Sequence, residues 1–376
     1  MTARAAPDRQ RRRIARAGIG SAALAAAGLL GSGSGSAPAA ASPPQGESSD
    51  PAVRAGDTRP LAPDVGPATP YQFGFIGDTP YSGLEAGSLQ RIFAAMAQEP
   101  LEFVLHVGDL KSSGEECSDR LLSSRLQLLD ACPHPLVLTP GDNDWTDCRP
   151  SAAPWSAGGP LERLHRLRSL AYRSPSSLGR RALALAQQGT IDDAIALRED
   201  VDRPPRLPEN ASWRTGSLRF CTLHVVGSNN APRGTPELDR AWLARQEANA
   251  RWLADTVRTA LREKAAGLVK GLVVALHANM RFGAARQDGW APMRELVVAA
   301  AVAFDGPFLL LHGDTHFFRS DRLLRQSHGL ANLRRVECFG SPFSASWVQV
   351  RWDPSLALDG IGRESDPFQV STRALP

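Results

Sequence analysis

Short apolar runs that end in Gly-Asp recur along this chain. They are FGFIGDTP at Phe73–Pro80, FVLHVGDL at Phe103–Leu110, LVLTPGDND at Leu136–Asp144 and FLLLHGDTH at Phe308–His316. A continuous apolar run of this length reads as a strand buried on both faces, as in a parallel sheet. Intervening segments predict helices over about Gly87–Gln98 and Ser118–Ala131, so the ordered part opens at Tyr71 as strand–helix–strand units. LRFCTLHVVGSNN (218–230) and GLVVALH, ending at His277, predict further strands. Helices are predicted over Pro236–Lys264 and Pro292–Ala303, and RRVECFGSP and SASWVQVRWD alternate in the manner of antiparallel strands.

The sheet pattern stops between Arg149 and Pro208. PLERLHRLRSLAYR and LGRRALALAQQGTIDDAIALRED predict short arginine-rich helices there, either an insertion over the edge of a site or a solvated excursion. Residues 42–70, rich in Pro, Gly, Ala and Ser, predict a flexible linker, and 356–376 a loose C-terminal tail.

Ligands gather beyond the carboxyl ends of parallel strands, so four such strands would bring four aspartates to one sheet edge. One such aspartate could simply cap a helix. Four together repel unless a positive charge lies between them, which predicts a divalent metal.

The order and spacing of these blocks resemble the calcineurin-like metallophosphoesterase family. The carrying segments are GDTP (Asp78), VGDL (Asp109), GDND (Asp142, Asn143, Asp144), VVALHAN (His277) and GDTH (Asp314, His316), and they span Phe73 to His316. The resemblance implies an α/β fold, an α/β/β/α sandwich of two mixed β-sheets flanked by helices, over residues 71–355. It further implies a phosphoesterase acting on phosphate mono- or diesters through a metal-bound hydroxide, with a phosphorylated small-molecule or ester substrate. Asp109 would bridge two divalent cations, Asp78 and His316 would hold the first, and Asp142, His277 and Asp314 the second.

The departures shape what is expected. Pro80 stands where the family has a ligand histidine, so water, Thr79 or a backbone carbonyl would fill that position, or only one cation would bind. Asp142 and Asp314 replace a ligand asparagine and a ligand histidine, which makes the site rich in oxygen and favours manganese, iron or magnesium over zinc. Asn143 replaces a histidine that helps protonate the leaving group. It remains a candidate substrate contact together with Arg149 and Asn279. The alternative function is a catalytically weak relative that binds metal or a phosphorylated ligand without efficient turnover.

Charge and cysteines add a location. The 376 residues contain 43 basic and 39 acidic side chains. Residues 1–41 hold six of the basic ones and one acid, which leaves 37 and 38, a net of −1, and no nucleic-acid footprint. That segment carries Arg11-Arg12-Arg13 and continues into a short run, Ala17–Leu30, rich in Ala and Gly. It predicts a twin-arginine signal peptide, hence contact with that export machinery and a place in the periplasm, cell envelope or outside the cell. The run is too short for a stable membrane span, so none is expected once the leader is removed. In an exported chain the five cysteines allow disulfides, with one thiol left over. Cys117 and Cys148, which follow the second and third Gly-Asp loops, are the preferred pair, and no Cys-x-x-Cys spacing points to zinc.

Overall fold

The computed structural model describes residues 57–61, 65–148, 159–190, 193, 205–231, 234–282, 288–356 and 366–375, all within one compact unit, 51–376. The predicted signal peptide, most of the linker and Arg149 lie outside the described residues.

Two mixed sheets face one another. The first has the order β12-β11-β1-β2-β3. Its strands are β1 (Tyr71–Ile76), β2 (Leu101–His106), β3 (Leu136–Leu138), β11 (Ser346–Trp352) and β12 (Phe368–Ala374). β1, β2 and β3 are parallel, whereas β11 and β12 are antiparallel additions. The second has the order β4-β5-β6-β7-β8-β10-β9. It comprises β4 (Ala186–Gln187), β5 (Ala211–Thr215), β6 (Leu218–Thr222), β7 (Gly271–Ala275), β8 (Phe308–His312), β9 (Arg319–Asp321) and β10 (Leu333–Glu337). Here β6, β7, β8 and β10 are parallel.

The alternation of side chains explains the layering. Phe73, Phe75, Phe103 and Leu105 of the first sheet pack against Phe220, Val273, Leu309 and Leu311 of the second. Phe103 stacks on Phe73 at 5.1 Å and meets Phe220 edge-on at 5.0 Å, which stitches the two sheets together. The opposite face of the first sheet buries Leu89, Phe93 and Met96 of α1 (Gly83–Met96), Leu126 and Leu129 of α2 (Asp119–Asp130), and Leu167 of α3 (Gly159–Ala171). The outer face of the second buries Leu253 and Val257 of α4 (Pro236–Ala265) and Val297 and Phe304 of α5 (Ala291–Phe304). The result is an α/β/β/α sandwich. Among the described residues no helix is long and apolar enough to cross a membrane.

Helix ends follow local chemistry. Ser82, Ser118 and Thr235 accept the backbone N–H that opens α1, α2 and α4. The 30-residue α4 carries Glu237 and Asp239 in its first turn and Arg262 and Lys264 in its last, matching the helix dipole.

Four expectations need correction. Phe368–Ala374 is not a loose tail, because it pairs along its whole length with β11. Residues 57–61 are not a free linker: Arg59 reaches Gly179 O and Ser176 Oγ, and Ala182 N donates to Pro60 O. Around 176–187 the chain forms isolated bridges and β4 instead of the predicted helix, since its backbone finds partners in Cys132, Leu136, residues 60–61 and residues 210–212. Finally, β10 is parallel to β8 and antiparallel only to the short β9.

A buried polar group braces the region behind the third Gly-Asp loop. Glu209 accepts from Arg168 at 2.9 and 2.5 Å and from His224 Nδ1 at 2.6 Å. Burial opposes the Glu209 charge, but Arg168 and His224 hold its carboxyl well below the usual range. Burial pushes His224 down to about 4, so the ring is neutral and donates through Nδ1. An unfolded histidine takes up its proton near pH 6.5, so between pH 6.5 and about 4 the unfolded chain binds a proton that the folded one refuses. Stability therefore falls as pH falls through that window, by up to about 1.4 kcal/mol per pH unit for this group. Denaturant melts of chelated protein should show a shallower acid slope, by about one proton, in His224→Gln; identical slopes would contradict the assignment.

Candidate metal centre

The carboxyl ends of β1, β2, β3, β7 and β8 deliver Asp78, Asp109, Asp142, His277 and Asp314 to one place. The cluster is therefore assembled by two facing sheets, not along the edge of one. Asp78, Asp109 and His277 offer ligand atoms within 4.8 Å of one another, and so do Asp142, His277 and Asp314.

The backbone takes an unusual path to achieve this. Asp78, Asp109 and Asp314 all have left-handed φ, at 51°, 60° and 81°, as does His316 at 70°. Aspartate tolerates that region better than most residues, yet each such position costs on the order of 1 kcal/mol or more. Three repetitions at three strand ends mark a site that the rest of the fold holds in place.

Hydrogen bonds orient each carboxylate. Asp78 accepts from Asp314 N at 3.1 Å. Asp109 accepts from Asn143 N at 2.9 Å through Oδ1 and from Tyr81 Oη at 2.7 Å through Oδ2. Asp142 Oδ2 accepts from Ser228 Oγ at 2.7 Å, and Asp314 Oδ2 from Asn279 N at 2.9 Å. Asp144 ties the second loop to the third: it accepts from Asp109 N, Leu110 N and Gly141 N. The disulfide between Cys117 and Cys148 anchors the chain just beyond that third loop. Cys132, Cys221 and Cys338 are free and buried.

His277 is the most telling group. Its Nδ1 donates to Val107 O at 2.7 Å, so the lone pair of the neutral ring lies on Nε2. Nε2 stands 2.9 Å from Asp142 Oδ1, 3.6 Å from Asp109 Oδ1 and 4.0 Å from Asp314 Oδ1. Neither Nε2 nor Asp142 Oδ1 has a hydrogen-bond partner, although both are buried. Ligand atoms that converge in this way, with no other hydrogen-bond partner, fit a shared cation.

Electrostatics agree. Burial pushes Asp78 up to about 7, with Asp314 and Asp142 adding to the shift. Burial likewise raises Asp109 well above the carboxylate range and raises Asp144 and Asp314. Burial alone would lower His277, but Asp109, Asp142 and Asp78 hold it well above its ordinary value. Burial opposes the charge of Asp142 too, yet His277 and Ser228 outweigh it and keep this acid low. The cluster thus calls for positive charge at its centre. Divalent cations fit the donor set of four carboxylates and two imidazoles.

The remaining predicted residues are placed as follows. His316 is 28% exposed, with Nδ1 donating to Ser341 O at 2.6 Å and Nε2 3.6 Å from Asp78 Oδ1. Asn143 uses its side-chain amide to donate to Tyr81 Oη at 3.0 Å. Asn279 faces inward, since its Nδ2 lies 3.4 Å from both Glu337 Oε2 and Thr315 Oγ1. His106 and His312 are buried supports, bonded to Thr79 O and Gly313 O.

Sequence reasoning missed two residues. Tyr81 reaches Asp109, Asn143 and His316 from the loop after β1, and only its closeness to Asp78 in the chain could have signalled it. Gly227 follows β6, and a Cβ there would lie 2.4 Å from Asp142 Oδ1 and 2.6 Å from Asp314 Oδ1. The only sequence signal was a glycine in Gly-Ser-Asn-Asn after a predicted strand.

No family model and no curated protein matches the sequence. Among solved structures, the chain is similar to a dimetal phosphatase from Danio rerio, with a TM-score of 0.47 and 14% identity over 75% of this chain and 93% of that one. It is also similar to a purple acid phosphatase from yellow lupin (Lupinus luteus) seeds, with a TM-score of 0.42 and 11% identity over 83% of this chain and 55% of the lupin chain. GAP50, the anchor in the inner membrane complex of Plasmodium, follows with a TM-score of 0.42 and 8% identity over 76% and 81%. All three have the calcineurin-like metallophosphoesterase fold.

Proposed function

We propose that this chain is an exported, metal-dependent phosphoesterase that hydrolyses phosphate mono- or diesters. The observation that carries the reading is the convergence of His277 Nε2 and buried carboxylate oxygens at the ends of parallel strands. Export rests on the arginine-led segment 1–41 and fits the disulfide between Cys117 and Cys148.

When bound, two divalent cations would supply Lewis acidity at phosphorus and acidify water for attack. The chain's own residues do the rest. Asp109 would sit between the two halves, with Asn143 N holding its Oδ1 and Tyr81 Oη its Oδ2. Asp78 and His316 serve one half, and Asp142, His277 and Asp314 the other. The predominance of oxygen donors favours manganese, iron or magnesium over zinc.

Asn143 offers an amide but no titrating proton, so the leaving group departs with little help. Aryl phosphates should consequently turn over at least about a hundredfold faster than alkyl phosphates of similar size. A steep dependence of kcat on leaving-group pKa checks this, and a flat dependence would reveal a proton donor elsewhere. The competing reading, a metal-binding protein with little turnover, draws on the same residue. Hydrolysis of a generic aryl phosphate that disappears in Asp109→Asn decides for the enzyme. No hydrolysis with any divalent cation decides for the binding protein.

A further inference from the structure

We propose that Phe317 and Phe343 form an aromatic ledge beside the metal centre that binds a planar aryl leaving group. The inference deepens the phosphoester reading and rests on its site for the phosphoryl group.

The pair stands out by exposure. Phe317 is 55% exposed and Phe343 47%. Every other described phenylalanine, tyrosine and tryptophan is buried or half-buried. The two rings meet at 5.4 Å, tilted by 49°, which leaves no gap for a third ring between them but about half of each side chain open to solvent. The neighbouring Phe318 behaves differently: it stacks on Phe339 at 5.4 Å and packs against the core.

Position ties the pair to the site. Phe317 directly follows His316, whose side chain is the most exposed of the six candidate ligands, at 28% against 21% for Asp314 and 11% or less for the others. A ligand therefore reaches the centre most directly from the side of His316. Phe343 lies two residues beyond Ser341, whose carbonyl holds His316 Nδ1 at 2.6 Å. Phe343 N donates to Gly340 O at 2.7 Å, Gly340 N to His316 O at 3.1 Å and Ser341 N to Asp78 O at 3.0 Å. The loop that carries Phe343 is thus bonded to two candidate ligands. It is also packed tightly on them, since a Cβ at Gly340 would stand 2.5 Å from Asp78 Cβ and 2.9 Å from the His316 ring.

The chemistry of the centre indicates what the ledge takes. Asn143 brings no titrating proton to the leaving group, which favours esters whose alcohol departs as a stable anion. Aryl oxides are such anions, and their rings are flat. Two phenylalanines recognise a flat ring by stacking and by removing apolar surface from water, and they offer no hydrogen bond to a hydroxylated alkyl group. Leaving-group demand and ring recognition select the same substrates through different residues.

The test uses ligands that are not cleaved, so that recognition is read apart from turnover. Phenylphosphonate and cyclohexylphosphonate carry the same anion on a flat and a puckered ring. Calorimetric titration of the leader-free protein in Mn²⁺ should show phenylphosphonate binding about fivefold tighter, an increment of the size that ring stacking supplies. The Phe317→Leu/Phe343→Leu double variant keeps apolar bulk and should bind the two alike, with the manganese content and melting temperature of the wild type. Equal affinities in the wild type, or a preference that survives in the double variant, overturns the ledge, as does a preference lost together with manganese. Hydrolysis of aryl phosphates by the wild type would then leave the enzyme reading standing. The expected preference without hydrolysis of any aryl phosphate supports the ledge and overturns the enzyme reading. Wild-type protein that binds neither phosphonate overturns both.

Discussion

Asp109→Asn should abolish phosphoester hydrolysis, lowering kcat/KM by at least about a thousandfold, while leaving the metal-free protein as stable as the wild type or more so. The first half follows from position. Asp109 belongs to the Asp78–Asp109–His277 ligand group and lies 3.6 Å from His277, which both groups share, and changing mere partners of metal ligands already costs about 10–100-fold. The second half follows from burial. Asp109 is 3% exposed, and burial together with Asp142, Asp78 and Asp144 raises its pKa well above the carboxylate range. A carboxylate whose folded pKa lies above its unfolded one destabilises the fold once the pH exceeds the unfolded value, near 4. Asparagine removes that charge and retains an oxygen for one of the two hydrogen bonds from Asn143 N and Tyr81 Oη. Activity assays paired with thermal melts in chelator check the claim. A variant that loses both activity and metal-free stability would mean that Asp109 is a structural residue.

Gly227→Ala should weaken cation binding at the Asp142–His277–Asp314 site by about a hundredfold, although the change adds one methyl group. That methyl would press on the oxygens of two ligands at once, at 2.4 and 2.6 Å, distances that real Cβ atoms do not keep. Asp142 is held by Ser228, the very next residue, and Asp314 by Asn279 N, so neither carboxylate can retreat without losing its orienting bond. Displacements near 1 Å in a catalytic constellation can cost about a hundredfold. Calorimetric titration should find one tight site and one weakened site. Two wild-type affinities would show that the loop after β6 yields freely.

The strands that matter most were legible because a buried parallel strand leaves a plain trace: FVLH before Asp109 and FLLLH before Asp314 are apolar without interruption. Their aspartates could be grouped from sequence because each closes an apolar run in a Gly-Asp pair, two to four residues beyond the end of its strand. That two sheets supply them was beyond periodicity, since whether β7 and β8 face β1 or extend it is decided by interdigitation such as Phe103 on Phe220. Phe368–Ala374 was missed for a different reason: five of its seven side chains face outward and lack apolar alternation, so its place is set by backbone pairing with β11. The arginine- and alanine-rich stretch near 178–187 has helical propensity, which contacts with residues distant in sequence override. Gly227 and Tyr81 share one explanation. Their importance lies in atoms that are distant in the chain, Asp142 and Asp314 for the glycine, Asp109 and His316 for the tyrosine.

The central claim is that this acidic cluster exists to hold cations, and the most direct measurement is the metal content of the leader-free protein after equilibration with manganese and removal of the excess. The arrangement predicts close to two ions per chain, both released by chelation and at least one absent from His277→Ala. Wild-type protein that retains no ion, and whose melting temperature does not change with added manganese, iron or magnesium, would contradict it.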